Sequence, residues 1–143
     1  MITVETAEEM RELGKRLGGQ LLAGDLLILS GPLGAGKTTL VQGIAEGLGV
    51  RGPVTSPTFV IARVHPSLSG GPALIHADAY RLNGFAELDD LDFDLDTSVT
   101  VIEWGTDLAE GLADDHLDIA ITPDSPREVR FTPVGDRWAA FSP

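Results

Sequence analysis

The sequence predicts a three-layer α/β domain built around a mixed, mainly parallel central sheet. Three observations carry this prediction. Residues 26–29 form an apolar run typical of a buried strand, residues 40–45 have helical spacing, and a glycine-rich turn joins them. A length of 143 residues fits one domain, residues 1–143, because it allows one substantial core and not two.

Composition and charge exclude several functions. A net charge of −12 argues against direct binding to nucleic acid or to an anionic membrane, since both need a basic protein face. The chain has no cysteine, which excludes thiol nucleophiles and cysteine-based metal sites. No apolar stretch is long enough to cross a bilayer, and residues 1–5 show no basic region followed by an apolar one, so we expect a cytoplasmic protein without membrane contact.

A first helix is predicted after Thr6. Thr6 and Glu9 have the spacing of a capping box, in which two side chains satisfy free backbone N–H groups at a helix start. Apolar residues at spacings of three and four then form one packing stripe: Met10, Leu13, Leu17 and Leu21. We expect this helix to be scaffold.

The turn from Gly31 to Thr39 carries the phosphate-binding loop pattern, with four residues between Gly31 and Gly36 and then Lys37 and Thr38. Its glycines allow successive N–H groups to point at phosphate oxygens, and the helix behind adds the positive end of its dipole. Lys37 is expected to reach the β- and γ-phosphates and Thr38 to bind Mg²⁺. The predicted nucleotide-binding residues of the loop are Leu33, Gly34, Ala35, Gly36, Lys37, Thr38 and Thr39. The alternative is a glycine-rich turn that merely starts a helix.

Two later strands are predicted to end in carboxylates. Residues 73–78 end at Asp78, and residues 99–103 end at Glu103. In open α/β sheets ligands lie beyond the carboxyl ends of the strands, so both are candidates for holding Mg²⁺ or positioning the attacking water. Spacing alone leaves open which of them binds the metal. Short strands are expected at residues 117–122, 128–132 and 137–141.

The nucleotide is predicted to be ATP, because the chain lacks the Asn-Lys-x-Asp sequence expected of a guanine-specific GTPase. The sequence also shows no clear site for a molecule that would accept the phosphoryl group. A small-molecule kinase would be expected to carry a lid with several basic residues, and only Arg63 and Arg81 lie in the middle of the chain. We therefore expect phosphoryl transfer to water.

Four segments together resemble the TsaE (YjeE) family, small bacterial ATPases needed for threonylcarbamoyladenosine (t6A) modification of tRNA. They are residues 33–39, 55–59, 76–82 and 102–104, in the family's order and spacing. The resemblance implies a P-loop NTPase-like fold, catalytic roles for Lys37, Asp78 and Glu103, and nucleotide contacts from Thr58 and Trp104. It also implies that the chain acts with the TsaD and TsaB proteins and meets tRNA only indirectly.

Three functional hypotheses therefore remain. The favoured one is an ATPase of low intrinsic turnover whose hydrolysis resets a tRNA-modifying complex. In the second, the chain is a nucleotide-gated binding module in which ATP controls assembly and hydrolysis is incidental. In the third, it is a small-molecule kinase with an acceptor site that the sequence does not reveal.

Overall fold

A computed structural model describes residues 2–31, 36–50, 62–78, 97–103, 115–122, 126–139 and 141–142. Within them the helices are α1 (Ala7–Gly18) and α2 (Lys37–Leu48). The strands are β1 (Ile2–Val4), β2 (Leu26–Ser30), β3 (Ala62–His65), β4 (Ala73–Asp78), β5 (Ser98–Glu103), β6 (His116–Ile121) and β7 (Arg127–Val134). A 3₁₀ turn, Asp136–Trp138, follows β7.

The strands form one sheet in the order β1-β7-β6-β2-β5-β4-β3. The four inner strands β6, β2, β5 and β4 are parallel, whereas the outer strands β1, β7 and β3 pair antiparallel with their neighbours. The predicted mixed α/β sheet is thus confirmed. Because β2 lies between β5 and β6, the chain emerges from β2 at the middle of the sheet's carboxyl edge, where ligands bind in such folds.

Both faces of the inner strands are buried. On one face Leu29, Val101 and Ile119 belong to a single apolar cluster that includes residues of α1 and α2. On the other face Ile28 and Ile102 are also almost fully buried. Strands covered on both faces have near-continuous apolar sequences instead of alternating ones, which is why residues 26–29 were recognisable as a strand. Neither described helix has the length and apolar character of a membrane span.

Helix α1 begins as predicted, with one difference in its cap. The Glu9 N–H donates to Thr6 Oγ1 at 3.1 Å, but the Glu9 carboxylate accepts from the Glu5 N–H at 2.8 Å instead of returning to Thr6. The predicted apolar stripe is buried along its whole length, at Met10, Leu13, Leu17 and Leu21. Helix α2 ends at Leu48, and Gly49 stops it in the left-handed conformation with φ of 74°.

Helices α1 and α2 meet through glycines. A Cβ at Gly43 would collide with the Arg11 carbonyl oxygen and lie 3.0 Å from Gly14 Cα. One turn further on, a Cβ at Gly47 would collide with the Lys15 carbonyl oxygen. The backbones of α1 and α2, the helix that begins at the predicted phosphate-binding loop, are therefore in direct contact at these glycines.

We expect Gly43→Ala to destabilise the fold by about 3 kcal/mol, because the added methyl group has no space between two backbones. Urea denaturation followed by circular dichroism measures this loss. The matched control is Gly19→Ala at the end of α1, where the backbone is helical and the nearest atoms to a new Cβ are 3.6 and 3.8 Å away. Equal losses in both variants would contradict the close packing of the helices.

The predicted strand at residues 137–141 is wrong. The chain forms the 3₁₀ turn Asp136–Trp138 instead, and Phe141 N–H then donates to the Trp138 carbonyl at 3.0 Å. The rings of Trp138 and Phe141 meet edge to face with centroids 5.6 Å apart. Trp138 and Phe141 are three residues apart, so a strand would place them on opposite faces, whereas the turn lets both reach the core.

The same turn connects to the start of the central strand β2. Arg137 Nε and Nη2 each lie 2.8 Å from an oxygen of Asp25, and the Leu22 N–H also donates to Asp25. Asp25 is 5% exposed, so its charge depends on these donors. The segment after β7, to which the sequence assigned no role, thus fixes the turn that precedes β2.

Arg137→Ala is expected to lower the free energy of unfolding by about 2 kcal/mol, because it leaves a buried carboxylate without its paired cation. Arg11→Ala is the control, since the Arg11–Glu46 pair is 51% and 42% exposed and exposed pairs contribute about 1 kcal/mol or less. Chemical denaturation of both variants tests the difference. A loss for Arg137→Ala no larger than that for Arg11→Ala would refute a stabilising role for the Asp25 pair.

Candidate nucleotide-binding site

The sheet register brings the predicted acidic residues together. Asp78, the last residue of β4, is the register partner of Glu103, the last residue of β5. Glu103 is in turn the partner of Leu29 in β2. Strand β5 therefore ends beside β2, which leads into the glycine-rich turn, and β4 ends one strand further away on the same edge of the sheet. For Asp78 the structure describes the backbone position and not the side chain.

The start of α2 has the geometry of an anion-binding site. Gly36 precedes the helix in the left-handed conformation with φ of 105°, which favours glycine. The first N–H groups of a helix have no acceptor within the helix and point out of its positive end. Lys37, Thr38 and Thr39 form this first turn, and both threonines are partly exposed.

Lys37 is buried beside the strand ends. It is 6% exposed, and its Nζ donates to the Gly31 carbonyl oxygen at 2.7 Å. The same Nζ lies 3.7 Å from Glu103 Oε1. A buried ammonium is costly unless a negative group lies nearby, so Glu103 compensates the lysine charge. The structure thus brings two of the predicted catalytic residues into one ion pair.

Glu103 has a second partner that the sequence reasoning did not assign. His76 Nε2 lies 2.8 Å from Glu103 Oε2, with His76 0% and the Glu103 side chain 6% exposed. The sequence indicates that His76 and Asp78 lie on the same face of their strand, because they are two residues apart and alternate residues of a strand share a face. That His76 contacts Glu103 follows only from the register of β4 against β5.

A second cation lies close to the start of α2. Arg127, the first residue of β7, places Nη1 3.8 Å from where a Cβ on Gly36 would be. Sequence reasoning did not select it, because β7 is far from the glycine-rich turn in the chain and its position depends on antiparallel pairing with β6. A guanidinium therefore lies near Gly36, the residue that precedes α2.

Comparison with known proteins identifies the family. A family model described as "Threonylcarbamoyl adenosine biosynthesis protein TsaE" matches residues 4–130. The chain belongs to the TsaE family. It is 59% identical over 139 residues to "tRNA threonylcarbamoyladenosine biosynthesis protein TsaE" of Streptomyces coelicolor, covering 91% of this chain and 94% of the relative.

More distant members of the TsaE family agree. The protein of the same name from Bacillus subtilis is 39% identical over 138 residues, covering 92% of this chain and 84% of the relative. A crystal structure of Bacillus subtilis YdiB superimposes with a TM-score of 0.77 at 33% identity, covering 97% of this chain and 88% of that chain. The predicted family and fold are both confirmed.

The described residues of this TsaE-family chain fit a magnesium nucleotide. A buried ammonium, a helix start and a guanidinium suit phosphate oxygens. Magnesium prefers oxygen ligands and takes one or two carboxylates together with phosphate, and the hydroxyl of Thr38 and the carboxylates of Glu103 and Asp78 are the predicted donors. The remaining predicted nucleotide-binding residues lie outside the described residues: Leu33, Gly34, Ala35, Thr58 and Trp104.

Proposed function

We propose that this chain binds Mg-ATP between β2 and α2 and hydrolyses it slowly, in support of t6A formation by a complex with the TsaD and TsaB proteins. The observation that carries this proposal is the buried contact of Lys37 with Glu103 at the carboxyl edge of the sheet, 3.7 Å from Nζ to Oε1. Membership of a family named for threonylcarbamoyladenosine biosynthesis supports the biological setting.

The buried carboxylate supports a site that holds a metal ion or orients water over one that only contacts phosphate. A negative group next to Lys37 weakens the attraction of this site for phosphate, because it neutralises part of the lysine charge. Such a group is useful where a divalent cation must be held or a water oriented. Glu103 is 5% exposed, so bulk water screens its charge little. A site that bound phosphate without a metal ion would be better built without it.

In this proposal each residue has a separate role. Lys37 binds and orients the terminal phosphates, and the N–H groups at the start of α2 hold the phosphate oxygens. Thr38 and the carboxylates would hold Mg²⁺, which supplies charge neutralisation on the phosphates when bound. Glu103 or Asp78 orients the attacking water. The chain thus contributes positioning and electrostatics, which is most of what phosphoryl transfer requires.

The test is phosphate release from Mg-ATP by the chain alone and with purified TsaD and TsaB proteins. We expect slow release by the chain alone and faster release in the complex, with t6A formed over repeated rounds. A non-hydrolysable ATP analogue should permit assembly and stop these rounds. If t6A formation continues unchanged with the analogue, the chain is a nucleotide-gated binding module. If the γ-phosphate is recovered on a metabolite instead of as inorganic phosphate, it is a kinase.

A further inference from the structure

The hydrogen bond between His76 and Glu103 is not used by any role assigned so far. His76 is completely buried, and its Nε2 lies 2.8 Å from Glu103 Oε2. An ionised carboxylate can only accept hydrogen bonds, so the imidazole donates from Nε2. Among the described residues, His76 Nδ1 has no hydrogen-bond partner. The interaction that the structure describes for this imidazole is therefore directed at one oxygen of Glu103.

The register explains why these two side chains meet. Asp78 is directly opposite Glu103, and His76 is opposite Val101, two residues further back on the same face. Glu103 thus turns back along the sheet to reach the imidazole. A glutamate extends one C–C bond, about 1.5 Å, further than an aspartate. This extra reach gives a physical reason for glutamate at a strand end where aspartate is common in the Walker B pattern.

The two oxygens of Glu103 are used differently. Oε2 accepts from His76, while Oε1 lies 3.7 Å from Lys37 Nζ on the side of the glycine-rich turn. The terminal torsion of a glutamate is otherwise broad, so a hydrogen bond to one oxygen of the planar carboxylate restricts the direction of the other oxygen. Outer partners of this kind hold catalytic carboxylates and metal ligands in place, and their removal commonly costs 10- to 100-fold in activity.

We propose that His76 is a positioning residue, which holds the Glu103 carboxylate so that Oε1 faces the nucleotide. This inference rests on the proposed ATP hydrolysis and adds a residue to it. The alternative is that His76 is only a buried polar residue that satisfies Glu103 within the core. The two differ in what they predict for turnover: a positioning residue acts on kcat, whereas a residue of the core acts on stability alone.

The experiment compares four variants in the phosphate-release assay with the TsaD and TsaB proteins. His76→Gln places an N–H donor about as far from the backbone as histidine Nε2. The side chain of His76→Asn is too short to reach Glu103 in this way, and His76→Leu has no donor. The control is Leu74→Val, which alters a fully buried residue on the same face of β4. Urea denaturation and the Kd for Mg-ATP are measured for each variant, so that folding, binding and turnover are separated.

We expect His76→Leu and His76→Asn to lower kcat by about 10-fold or more, with the Kd for Mg-ATP changed by less than about 3-fold because Lys37 and the start of α2 are intact. His76→Gln should restore kcat to within about 3-fold of the unmodified chain. Leu74→Val should lower the denaturation midpoint and leave kcat unchanged. If His76→Leu does not fold, the comparison of His76→Gln with His76→Asn decides the question.

Three outcomes would overturn the inference. Wild-type kcat in folded His76→Leu or His76→Asn would show that the hydrogen bond does not serve turnover, and the proposed ATPase function would stand. Equal impairment of His76→Gln and His76→Leu would show that the donor is not what matters. If the unmodified chain releases no phosphate with its partners, the proposed hydrolysis is wrong, and the positioning role is wrong with it.

Discussion

Lys37→Ala is expected to abolish measurable Mg-ATP binding. The ammonium is 6% exposed, so its attraction for phosphate is weakly screened, and a charge-assisted contact of this kind contributes about 3 kcal/mol. That loss alone corresponds to a factor of at least about 100 in Kd. Isothermal titration calorimetry with Mg-ATP measures it, and circular dichroism of the same sample establishes that the variant is folded.

The matched control for this prediction is Lys15→Ala. Lys15 is the other lysine of the chain, so the two variants undergo the same change of net charge. Lys15 is exposed on α1, and its side chain should contribute nothing to nucleotide binding. An affinity that is unchanged in folded Lys37→Ala would refute the site between β2 and α2.

Glu103→Gln is expected to retain Mg-ATP binding, because Lys37 and the start of α2 are intact, and to lose turnover by about 100-fold or more. The amide has the shape of the carboxylate but no charge. Its oxygen can still accept from His76, and its NH₂ group would then face Lys37 Nζ, donor against donor. Both the negative charge and the acceptor on the nucleotide side are therefore lost together.

Single-turnover phosphate release measures the chemical step without the contribution of product dissociation. Glu46→Gln is the control, because it removes an exposed carboxylate of α2 that pairs with Arg11. We expect Glu46→Gln to be as active as the unmodified chain. Full activity in Glu103→Gln would transfer the catalytic role to Asp78, and Asp78→Asn would then show the loss predicted for Glu103.

The elements that the sequence predicted well are those with local signals. Residues 26–29 and the helix after Gly36 are set by an apolar run, a glycine turn and helical spacing, all within about 25 residues. The strand Ala73–Asp78 was predicted with its observed limits, because an inner strand buried on both faces is apolar along its length. The same locality makes Lys37 and Thr38 identifiable from the amino-acid sequence alone.

What the sequence did not predict depends on pairing between distant segments. Strand β1 is three residues long and owes its existence to antiparallel pairing with β7, which no local pattern encodes. The contact of His76 with Glu103 joins residues 27 apart in the chain and follows from the register of β4 against β5. The glycine contact of α1 with α2 had a visible signal, since Gly14 and Gly18 match the spacing of Gly43 and Gly47.

That glycine contact limits how α1 and α2 can move relative to each other. Packed helices usually shift past one another through small changes of side-chain rotamer at their interface. Backbone resting on backbone at Gly14 and Gly43 offers no such rotamers. We therefore expect α1 and α2 to move as one rigid body, so that under the proposed function a change at the γ-phosphate would not slide one helix along the other. Amide hydrogen exchange should be slow in both helices, and it should be the same with and without Mg-ATP.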